Sequence, residues 1–401
     1  MKTSEQGPAT GTARIFDGYQ MIPAAAGGDA TEGTYTPTLV DGGVSLMGYR
    51  ESPMDAVTSA TDAIVENSIR HGVGVMLDDG SSFEALYRAR RTGVGSTIIG
   101  GGPILTDLHP RTEAERQVST ANDLRRSVRS LQAEESHWLN LRTNDLDFLG
   151  QAITAAREAG LKVSLRTSKI NALDAAHRQA DMLIGAYHLN GMPPAGGARG
   201  ILEQWAATDP ATNDMSCRQI AASGMIVTSG LLTIRRSALP KEALGSPFLE
   251  ELLPILPHVR YLIEMRRAGG YMAGRRQLAK HTGFQEPTAS QKQLALQGWE
   301  MLTAATRTFV QYDGRLLPAS HGPGLGVVPG HGIKEELTLL AHIYGDTVLA
   351  LRQGTGLART YLGVPQWSKD KRTGDSDSLY TSMEITHPDV VLDLCRKPKT
   401  G

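Results

Sequence analysis

The sequence predicts an α/β fold, namely a (β/α)8 TIM barrel with a helical insertion near its mouth. About eight short apolar runs alternate with helix-length amphipathic stretches between residues 38 and 345, and this alternation is typical of parallel strands joined by crossover helices. The chain has 401 residues, which is long enough for one such barrel. A hydrophobic fraction of 40% with 21% charged residues excludes wholesale disorder.

The individual elements follow from the apolar runs and from the residues that interrupt them. Pro53 suits the first turn of a helix, and Gly72 and Gly160 suit helix ends. The predicted strands, the first with its exit loop, cover residues 39–46, 73–77, 96–99, 137–141, 161–165, 182–184, 225–227 and 316–317. The predicted helices cover residues 53–71, 83–91, 124–133, 147–159, 173–179, 217–223, 294–311, 334–344 and 346–357.

The chain is predicted to consist of an N-terminal extension, a barrel and a C-terminal tail, over residues 1–37, 38–363 and 364–401. The extension contains a short predicted strand near residues 13–16, and the tail ends in a predicted strand at residues 390–392. A segment at about 235–290 is long for a connection between a strand and a helix. It is interpreted either as a lid over the barrel mouth or as a peripheral helical insertion or dimer contact.

Charge and cysteine content exclude several classes of protein. The chain has 41 Lys and Arg residues against 42 Asp and Glu, a formal net charge of −1, so neither a nucleic acid nor a membrane surface is expected as a partner. Two cysteines cannot build a disulfide framework or a cysteine-based zinc site. No transmembrane run and no secretory signal is recognised. We therefore expect a cytoplasmic protein that binds a small-molecule substrate, with a homodimer compatible with such a barrel.

Several short segments of the sequence resemble those of a known family, both in their residues and in their order along the chain. They lie at residues 39–46, 72–80, 100–105, 138–141, 155–163, 188–191 and 329–337. This set is similar to the amidohydrolase superfamily, nearest its imidazolonepropionase and prolidase-like branch. The resemblance implies a small β-sandwich made from both termini, but only residues 14–18 match it. The sandwich is therefore expected to be vestigial or missing.

The resemblance also implies one or two divalent metals at the barrel mouth, but most ligand positions carry other residues. The positions of the expected ligands are occupied by Gly43, Ser45, Asn140, Arg166, His188 and His321. Only His188 keeps the family's residue, because His321 stands where an aspartate is expected. At ~4 Å the permanent charge of Arg166 would repel each unit of metal charge by about 4 kcal/mol with an effective dielectric near 20. We therefore predict that the metal site is lost and that no cofactor is bound.

Polar side chains at the predicted mouth are the candidate reactive groups. The candidate catalytic residues are His188, His321, Arg166 and Asp79. The candidate substrate-binding residues are Ser45, Tyr49, Arg50, Asn140, Arg142, Lys169, Thr228 and His331. A guanidinium can hold a carboxylate or an enolate, and an imidazole moves protons near neutral pH. The other interpretation of Arg166 is that it fills the vacated metal site beside a carboxylate such as Asp79.

These residues predict a metal-independent enzyme that uses His and Arg acid–base chemistry on a small organic substrate, in specialised (natural-product) metabolism. Cyclisation, elimination, isomerisation and hydrolysis all remain open. One alternative is a hydrolase of C–N bonds with a single atypical metal. Another is a non-catalytic binding pseudoenzyme, in which His188, His321 and Arg166 would tolerate substitution.

Overall fold

The computed structural model describes residues 14–23, 34–47, 54–112, 114–239, 245–256, 259–267, 287–324, 326–366, 378–381 and 387–395. The strands of these ranges are β1 (Arg14–Phe16), β2 (Met21–Pro23), β3 (Thr34–Pro37), β4 (Leu39–Val44), β5 (Val73–Asp78), β6 (Thr97–Ile99), β7 (Ile104–Thr106), β8 (Glu115–Gln117), β9 (Trp138–Arg142), β10 (Lys162–Arg166), β11 (Met182–Leu183), β12 (Ile226–Thr228), β13 (Leu316–Leu317) and β14 (Ser378–Thr381).

The helices of the same ranges are α1 (Met54–Arg70), α2 (Phe83–Thr92), α3 (Ala121–Ala133), α4 (Leu146–Glu158), α5 (Ala172–His177), α6 (Gly197–Ala206), α7 (Pro210–Ser223), α8 (Leu231–Ala238), α9 (Arg260–Arg267), α10 (Ala289–Gln311), α11 (His331–Tyr344), α12 (Thr347–Arg352), α13 (Ala358–Leu362) and α14 (Val390–Asp393). Short 3-10 turns cover Ala186–His188 and Leu249–Leu252, and a π turn at Gln353–Leu357 joins α12 to α13. Among the helices described, none is long and apolar enough to cross a membrane.

Two parallel sheets form the centre of the molecule. One has seven strands in the order β13-β12-β11-β10-β9-β7-β8, and the other has three in the order β4-β5-β6. Backbone hydrogen bonds join the two sheets, from Gly42 N to Pro318 O (2.8 Å) and from His137 N to Gly100 O (3.1 Å). Helices connect successive parallel strands, such as α1 between β4 and β5. The predicted α/β fold is confirmed, and the arrangement is like that of a TIM barrel.

Strands β6 and β7 are separated by glycines, which make room for hydrogen bonds from a polar side chain. β6 pairs with β5, and after four residues β7 pairs with β9 instead. A Cβ atom on Gly101 would lie 2.4 Å from Nδ2 of Asn140. The absence of that atom lets Asn140 donate to the carbonyl oxygens of Gly102 (3.3 Å) and Asp78 (3.4 Å). The glycine run therefore lets one side chain tie three neighbouring strands together.

Local sequence sets both ends of helix α4. Asp145 accepts hydrogen bonds from the backbone N–H groups of Asp147 and Phe148, both at 2.8 Å, and so caps the helix start. Gly160, with φ of 74°, follows its end. Leu149 is fully buried in the core on the inner face of the helix. Its replacement by alanine would cost about 2–5 kcal/mol.

The two ends of the chain build one small mixed sheet. Its order is β14-β3-β1-β2, so the tail pairs with the N-terminal segment. Ser378 to Thr381 run antiparallel to Pro37 to Thr34. The sandwich expected to be vestigial or missing is thus represented by a four-stranded sheet, and the tail is part of it.

The predicted strand at residues 390–392 is wrong, because these residues lie in helix α14. Val390 and Val391 are buried, and the Lys334 ammonium donates to the carbonyl oxygen of Leu394 just after the helix. A short apolar run does not distinguish a strand from a buried helix by periodicity alone. Packing against α11 decided the conformation.

Part of the predicted insertion is described, over residues 235–239, 245–256, 259–267 and 287–290. Phe248 packs against the ring of His71, with centroids 4.9 Å apart, and Glu251 accepts a hydrogen bond from the same histidine at 3.2 Å. His71 lies two residues before the start of β5, so this part of the insertion lies near the amino end of that strand. The lid role stays a prediction, because residues 268–286 lie outside the described residues.

Candidate active site

Four polar side chains meet where the parallel strands end. Asp79 follows β5, Arg166 ends β10, Thr228 ends β12, and His321 lies four residues after β13. The carboxyl ends of the strands are where barrels of this kind hold their reactive groups. The four residues come from distant parts of the sequence and share one hydrogen-bonded network. We call it the mouth network.

Asp79 is the centre of the mouth network. Its Oδ2 atom lies 3.0 Å from Nη2 of Arg166 and 3.0 Å from Nδ1 of His321. Burial raises the pKa of Asp79, but the charge of Arg166 and the hydrogen bond with His321 outweigh burial and bring the pKa to about 2. Asp79 is therefore a fixed negative charge at neutral pH, shared between a guanidinium and an imidazole.

The imidazole of His321 contacts a hydroxyl on its other side. Its Nε2 atom lies 3.0 Å from Oγ1 of Thr228, and that oxygen accepts a hydrogen bond from the backbone N–H of Gly185 at 2.9 Å. The Thr228 hydroxyl can thus donate its proton in a hydrogen bond to Nε2. We infer from this network that a neutral His321 carries its proton on Nδ1 and donates it to Asp79. The result is a chain of carboxylate, imidazole and hydroxyl.

Two glycines form a cradle around the imidazole of His321. A Cβ atom on Gly43 would lie 2.7 Å from both Cε1 and Nδ1 of the ring, and one on Gly230 would lie 2.6 Å from Cδ2. His321 itself has φ of 47°, a left-handed conformation that is uncommon for residues other than glycine. The ring is therefore held by Gly43 and Gly230 and by its hydrogen bonds with Asp79 and Thr228. Gly43 stands where the resemblance implied a histidine ligand, and here its lack of a side chain makes room for His321.

A buried carboxylate that the sequence analysis missed supports this geometry. Oδ1 of Asp41 accepts hydrogen bonds from the backbone N–H groups of Ser320 (2.9 Å) and Gly43 (3.2 Å), and Oδ2 accepts one from the Ser320 hydroxyl (2.6 Å). Burial, opposed by these hydrogen bonds, raises the pKa of Asp41 to about 6. Asp41 thus holds the residue before His321 and one wall of its cradle. The sequence contained one signal for this role, because Asp41 is the one charged residue of the fully buried strand β4.

Asp78, next to Asp79, is in the opposite electrostatic state. Its side chain is fully buried, and its Oδ2 atom has no hydrogen-bond partner among the described residues. Burial, with the added charge of Asp79, raises the pKa of Asp78 to about 7. Two adjacent carboxyl groups therefore have pKa values pushed apart, as is common where one site needs both an ionised and a protonated acid.

His188 is fully buried, and its ring lies 4.7 Å from that of Tyr187. Neither ring nitrogen has a hydrogen-bond partner among the described residues. Burial lowers the pKa of His188 to about 3, so the ring is neutral at physiological pH. A neutral imidazole offers one donor and one acceptor, and the described part of the protein uses neither.

Two of the predicted substrate-binding residues have structural partners instead. Asn140 uses its amide nitrogen to bridge strands, and its oxygen accepts a hydrogen bond from Ser164 at 2.7 Å. Arg142 donates from Nη2 to the His109 carbonyl (2.8 Å) and to Glu115 (2.7 Å). These contacts lie outside the mouth network and tie barrel segments to each other.

The remaining predicted residues are dispersed. Ser45 follows β4, is half-buried, and donates its backbone N–H to the Gly322 carbonyl at 2.8 Å. Lys169 is exposed in the loop after β10. Tyr49 and Arg50 lie outside the described residues, and their roles stay predictions.

His331 belongs to a different cluster. Its ring lies 5.4 Å from that of His71 and 4.6 Å from that of Phe248, and its Nε2 lies 3.8 Å from Glu335. None of these residues is part of the mouth network. The structure therefore does not bring His331 together with His321.

The divalent metals implied by the family resemblance do not fit these residues. Among the described residues, no group of three or more His, Cys, Asp or Glu side chains is placed to hold a metal ion. Gly43 has no donor atom, and both ring nitrogens of His321 are engaged with Asp79 and Thr228. Asp79, the carboxylate of the mouth network, is already paired with Arg166.

Comparison with known proteins supports the same class of fold. No protein-family model matches the sequence, and no curated protein matches it significantly. Among solved structures, the bottromycin amidohydrolase matches with a TM-score of 0.64 at 14% identity, over 96% of this chain and 84% of that one. An amidohydrolase matches with a TM-score of 0.62 at 12% identity, over 96% and 94%. A Xaa-Pro dipeptidase matches with a TM-score of 0.58 at 11% identity, over 95% of both chains.

The protein thus has the α/β fold of the amidohydrolases and prolidases. The resemblance found in the sequence is confirmed at the level of the fold, and identities of this size show the fold alone.

Proposed function

We propose that this chain is a metal-independent enzyme on an amidohydrolase-like (β/α)8 barrel, acting on a small organic anion by acid–base chemistry of His321 and Arg166. The observation that carries the proposal is the single Asp79 oxygen that lies 3.0 Å from both groups. One carboxylate thereby orients an imidazole and a guanidinium at the same mouth. This is the arrangement expected when proton transfer and anion binding act on one substrate.

His321 is the proposed proton carrier. Its Nδ1 side is fixed by Asp79, so Nε2 is the nitrogen that takes up and returns a proton. The ionised carboxylate of Asp79 stabilises the imidazolium when it forms. The Gly43 and Gly230 cradle prevents the ring from turning away during this transfer.

Arg166 is the proposed anion site. A guanidinium has five N–H donors, and the ion pair with Asp79 is formed through Nη2. The side chain remains 25% exposed, and we propose that its other donors bind the anion. The charges of Arg166 and Asp79 cancel each other. A substrate carboxylate bound to the remaining guanidinium donors would place the positive charge of Arg166 between two negative charges. This favours a substrate with at least one carboxylate or a developing oxyanion.

Hydrolysis of a C–N bond is the favoured reaction among the four that the sequence left open. The structural neighbours named above include an amidohydrolase and a Xaa-Pro dipeptidase. Acid–base chemistry by an imidazole can supply the two proton transfers that amide hydrolysis needs. Cytoplasmic location, a homodimer and a place in specialised metabolism stay predictions.

The test uses the purified full chain after exhaustive treatment with a chelator. Metal content is measured by elemental analysis, and turnover is assayed with the mono-4-nitroanilide of succinic acid, which has one carboxylate and one chromogenic amide. The 4-nitroanilide of acetic acid is the neutral control. We expect less than stoichiometric metal, unchanged turnover after chelation, and a preference for the anionic compound that is lost in Arg166→Gln.

Substitution of the proton carrier completes the test. His321→Gln should lower turnover by roughly 100-fold or more, whereas Arg178→Gln, which alters an exposed pair with Asp147, should leave it unchanged. Stoichiometric metal bound through His188 or His321 would contradict the proposal. So would full activity of His321→Gln, and a wild-type chain that turns over neither compound would favour a non-catalytic binding protein.

A further inference from the structure

The mouth network contains a carboxylate, an imidazole and a hydroxyl in line. Oδ2 of Asp79 lies 3.0 Å from Nδ1 of His321, and Nε2 of the same ring lies 3.0 Å from Oγ1 of Thr228. Arrangements of this kind activate the hydroxyl as a nucleophile. They are recognised by their geometry, in which one imidazole nitrogen contacts the carboxylate and the other contacts the hydroxyl, and not by the order of the residues in the sequence. Both nitrogens face the partners that such activation requires.

The hydroxyl of Thr228 is also oriented for losing its proton. The backbone N–H of Gly185 donates to Oγ1 at 2.9 Å, so the hydroxyl proton points away from that amide and toward His321. The same N–H stabilises negative charge that develops on the oxygen as the proton leaves. Gly185 has φ of 104°, and a Cβ atom there would lie 2.0 Å from the Tyr187 ring. This amide is therefore held in place by a conformation that suits glycine.

A buried carboxylate fixes the segment that carries Thr228. Glu336 accepts hydrogen bonds from the backbone N–H groups of Leu231 (2.9 Å) and Leu232 (2.7 Å), at the start of α8 and three residues after Thr228. Glu336 is fully buried. Thr228 is thus held between the end of β12 and a helix start that is anchored to α11.

We propose that Thr228 is a nucleophile that takes an acyl group from a carboxylate-bearing amide, ester or thioester. The inference rests on the proposed function, because it uses His321 as the base and Arg166 as the anion site. Oγ1 forms a bond to the acyl carbon as its proton passes to Nε2 of His321. The bond from carbon to the leaving group then breaks, and the leaving group takes that proton. Water attacks the acyl-threonine, again with His321 as base, and releases the carboxylic acid and the free hydroxyl.

Burial of Thr228 limits the acyl group. The residue has no exposed surface, whereas His321 is 14% and Arg166 25% exposed. Acylation therefore requires access to Oγ1 from the Arg166 and His321 side, and this favours a compact acyl group. A monoester of succinic acid, which is compact and has the carboxylate that Arg166 would bind, is consequently the probe of choice.

The experiment follows acylation of the full chain by the mono-4-nitrophenyl ester of succinic acid, using quenched intact mass and peptide mapping. Wild type and Thr228→Ser should carry one succinyl group at position 228 and release 4-nitrophenol in a burst. Thr228→Val, which keeps the shape and removes the hydroxyl, should carry none. Thr154→Val removes a hydroxyl on the outer face of α4 and should behave as wild type. Thermal unfolding of each variant shows that it is folded.

The outcomes separate this inference from the proposed function. Absence of an adduct at Thr228 in wild type, or equal labelling of Thr228→Val, overturns the nucleophile. If Thr228→Val also hydrolyses the succinic anilide as fast as wild type while His321→Gln does not, the nucleophile is wrong and the acid–base function stands. If neither variant loses turnover, both proposals fail.

Discussion

The guanidinium of Arg166 and the imidazole of His321 contact the same oxygen of Asp79, each from 3.0 Å. In a metal-dependent amidohydrolase the corresponding positions are expected to hold a cation between ligands. Here an internal cation, Arg166, pairs with the carboxylate instead. The charge balance of the mouth is therefore supplied by the chain itself, and this relationship can be tested by changing each partner in turn.

Removing Arg166 alone should destabilise the protein more than removing the pair. Arg166→Gln leaves the Asp79 carboxylate without its cation, at a cost of about 1–3 kcal/mol, below the value for a fully buried pair because Arg166 is partly exposed. The double variant Arg166→Gln with Asp79→Asn should recover much of this loss. Urea unfolding measures both. A double variant no more stable than Arg166→Gln would contradict the pairing.

Asp79 should make the folded state sensitive to acid. Its pKa of about 2 in the folded protein is below the ordinary 3.8, so the ionised form stabilises the fold above about pH 4. This stabilisation is lost as the pH falls through about 2, and each tenfold difference in acidity between the folded and unfolded states contributes about 1.4 kcal/mol. Asp79→Asn should show a shallower loss of unfolding free energy over that window. Equal slopes for wild type and variant would disprove the depressed pKa.

Asp78 should lower the free energy of unfolding as the pH rises, which is the opposite of the effect of Asp79. Its folded-state pKa of about 7 is above the ordinary 3.8, so the contribution of the neutral acid is complete below about pH 4 and is lost as the pH rises through 7. Asp78→Asn should therefore gain about 2–4 kcal/mol relative to wild type at alkaline pH and little below pH 4. Urea unfolding across this range is the measurement, and parallel stability curves would count against it.

The cradle predicts a steric effect at a glycine. Gly43→Ala places a Cβ atom 2.7 Å from the His321 ring, so we expect a displaced imidazole, a loss of about 1–3 kcal/mol and reduced turnover. Gly245→Ala is the matched control, because nothing lies within 4 Å of its added Cβ. NMR of the histidine ring protons reports the displacement. An unchanged His321 signal in Gly43→Ala would show that the cradle does not hold the ring.

His188 should lower the stability of the fold and contribute to substrate binding. Both of its buried ring nitrogens lack partners among the described residues, and an unsatisfied buried polar group costs about 1–3 kcal/mol. His188→Leu should therefore be at least as stable as wild type, yet bind succinate and turn over the succinic anilide less well, because the substrate loses the donor and the acceptor of the ring. Calorimetric titration with succinate and thermal unfolding measure the two effects. A strongly destabilised His188→Leu with normal binding would assign the ring a structural role.

Many of the parallel strands and their helices were predictable because the signals for them are local. The buried strand before Asp79 and the amphipathic helix α4 lie close to their predicted bounds. The π turn after α12 and the helix at Val390 were not predictable, since neighbouring elements select those conformations. The sequence also offered Asp79 as a partner for Arg166, and the structure brings the two together. No local pattern indicated that Thr228 would face His321 or that Asp41 would hold Ser320.

The sequence by itself determined the alternation of strands and helices and the types of side chain at the strand ends. Above all, it determined that glycine, arginine and histidine stand where an amidohydrolase is expected to have metal ligands. Only the tertiary structure decided which of these side chains meet. Asp79, Thr228 and His321 are separated by as many as 242 positions along the chain, and their contact depends on strand register and on two glycines that leave room for one ring. Local patterns encode neither, because both arise from packing between segments that are far apart in sequence.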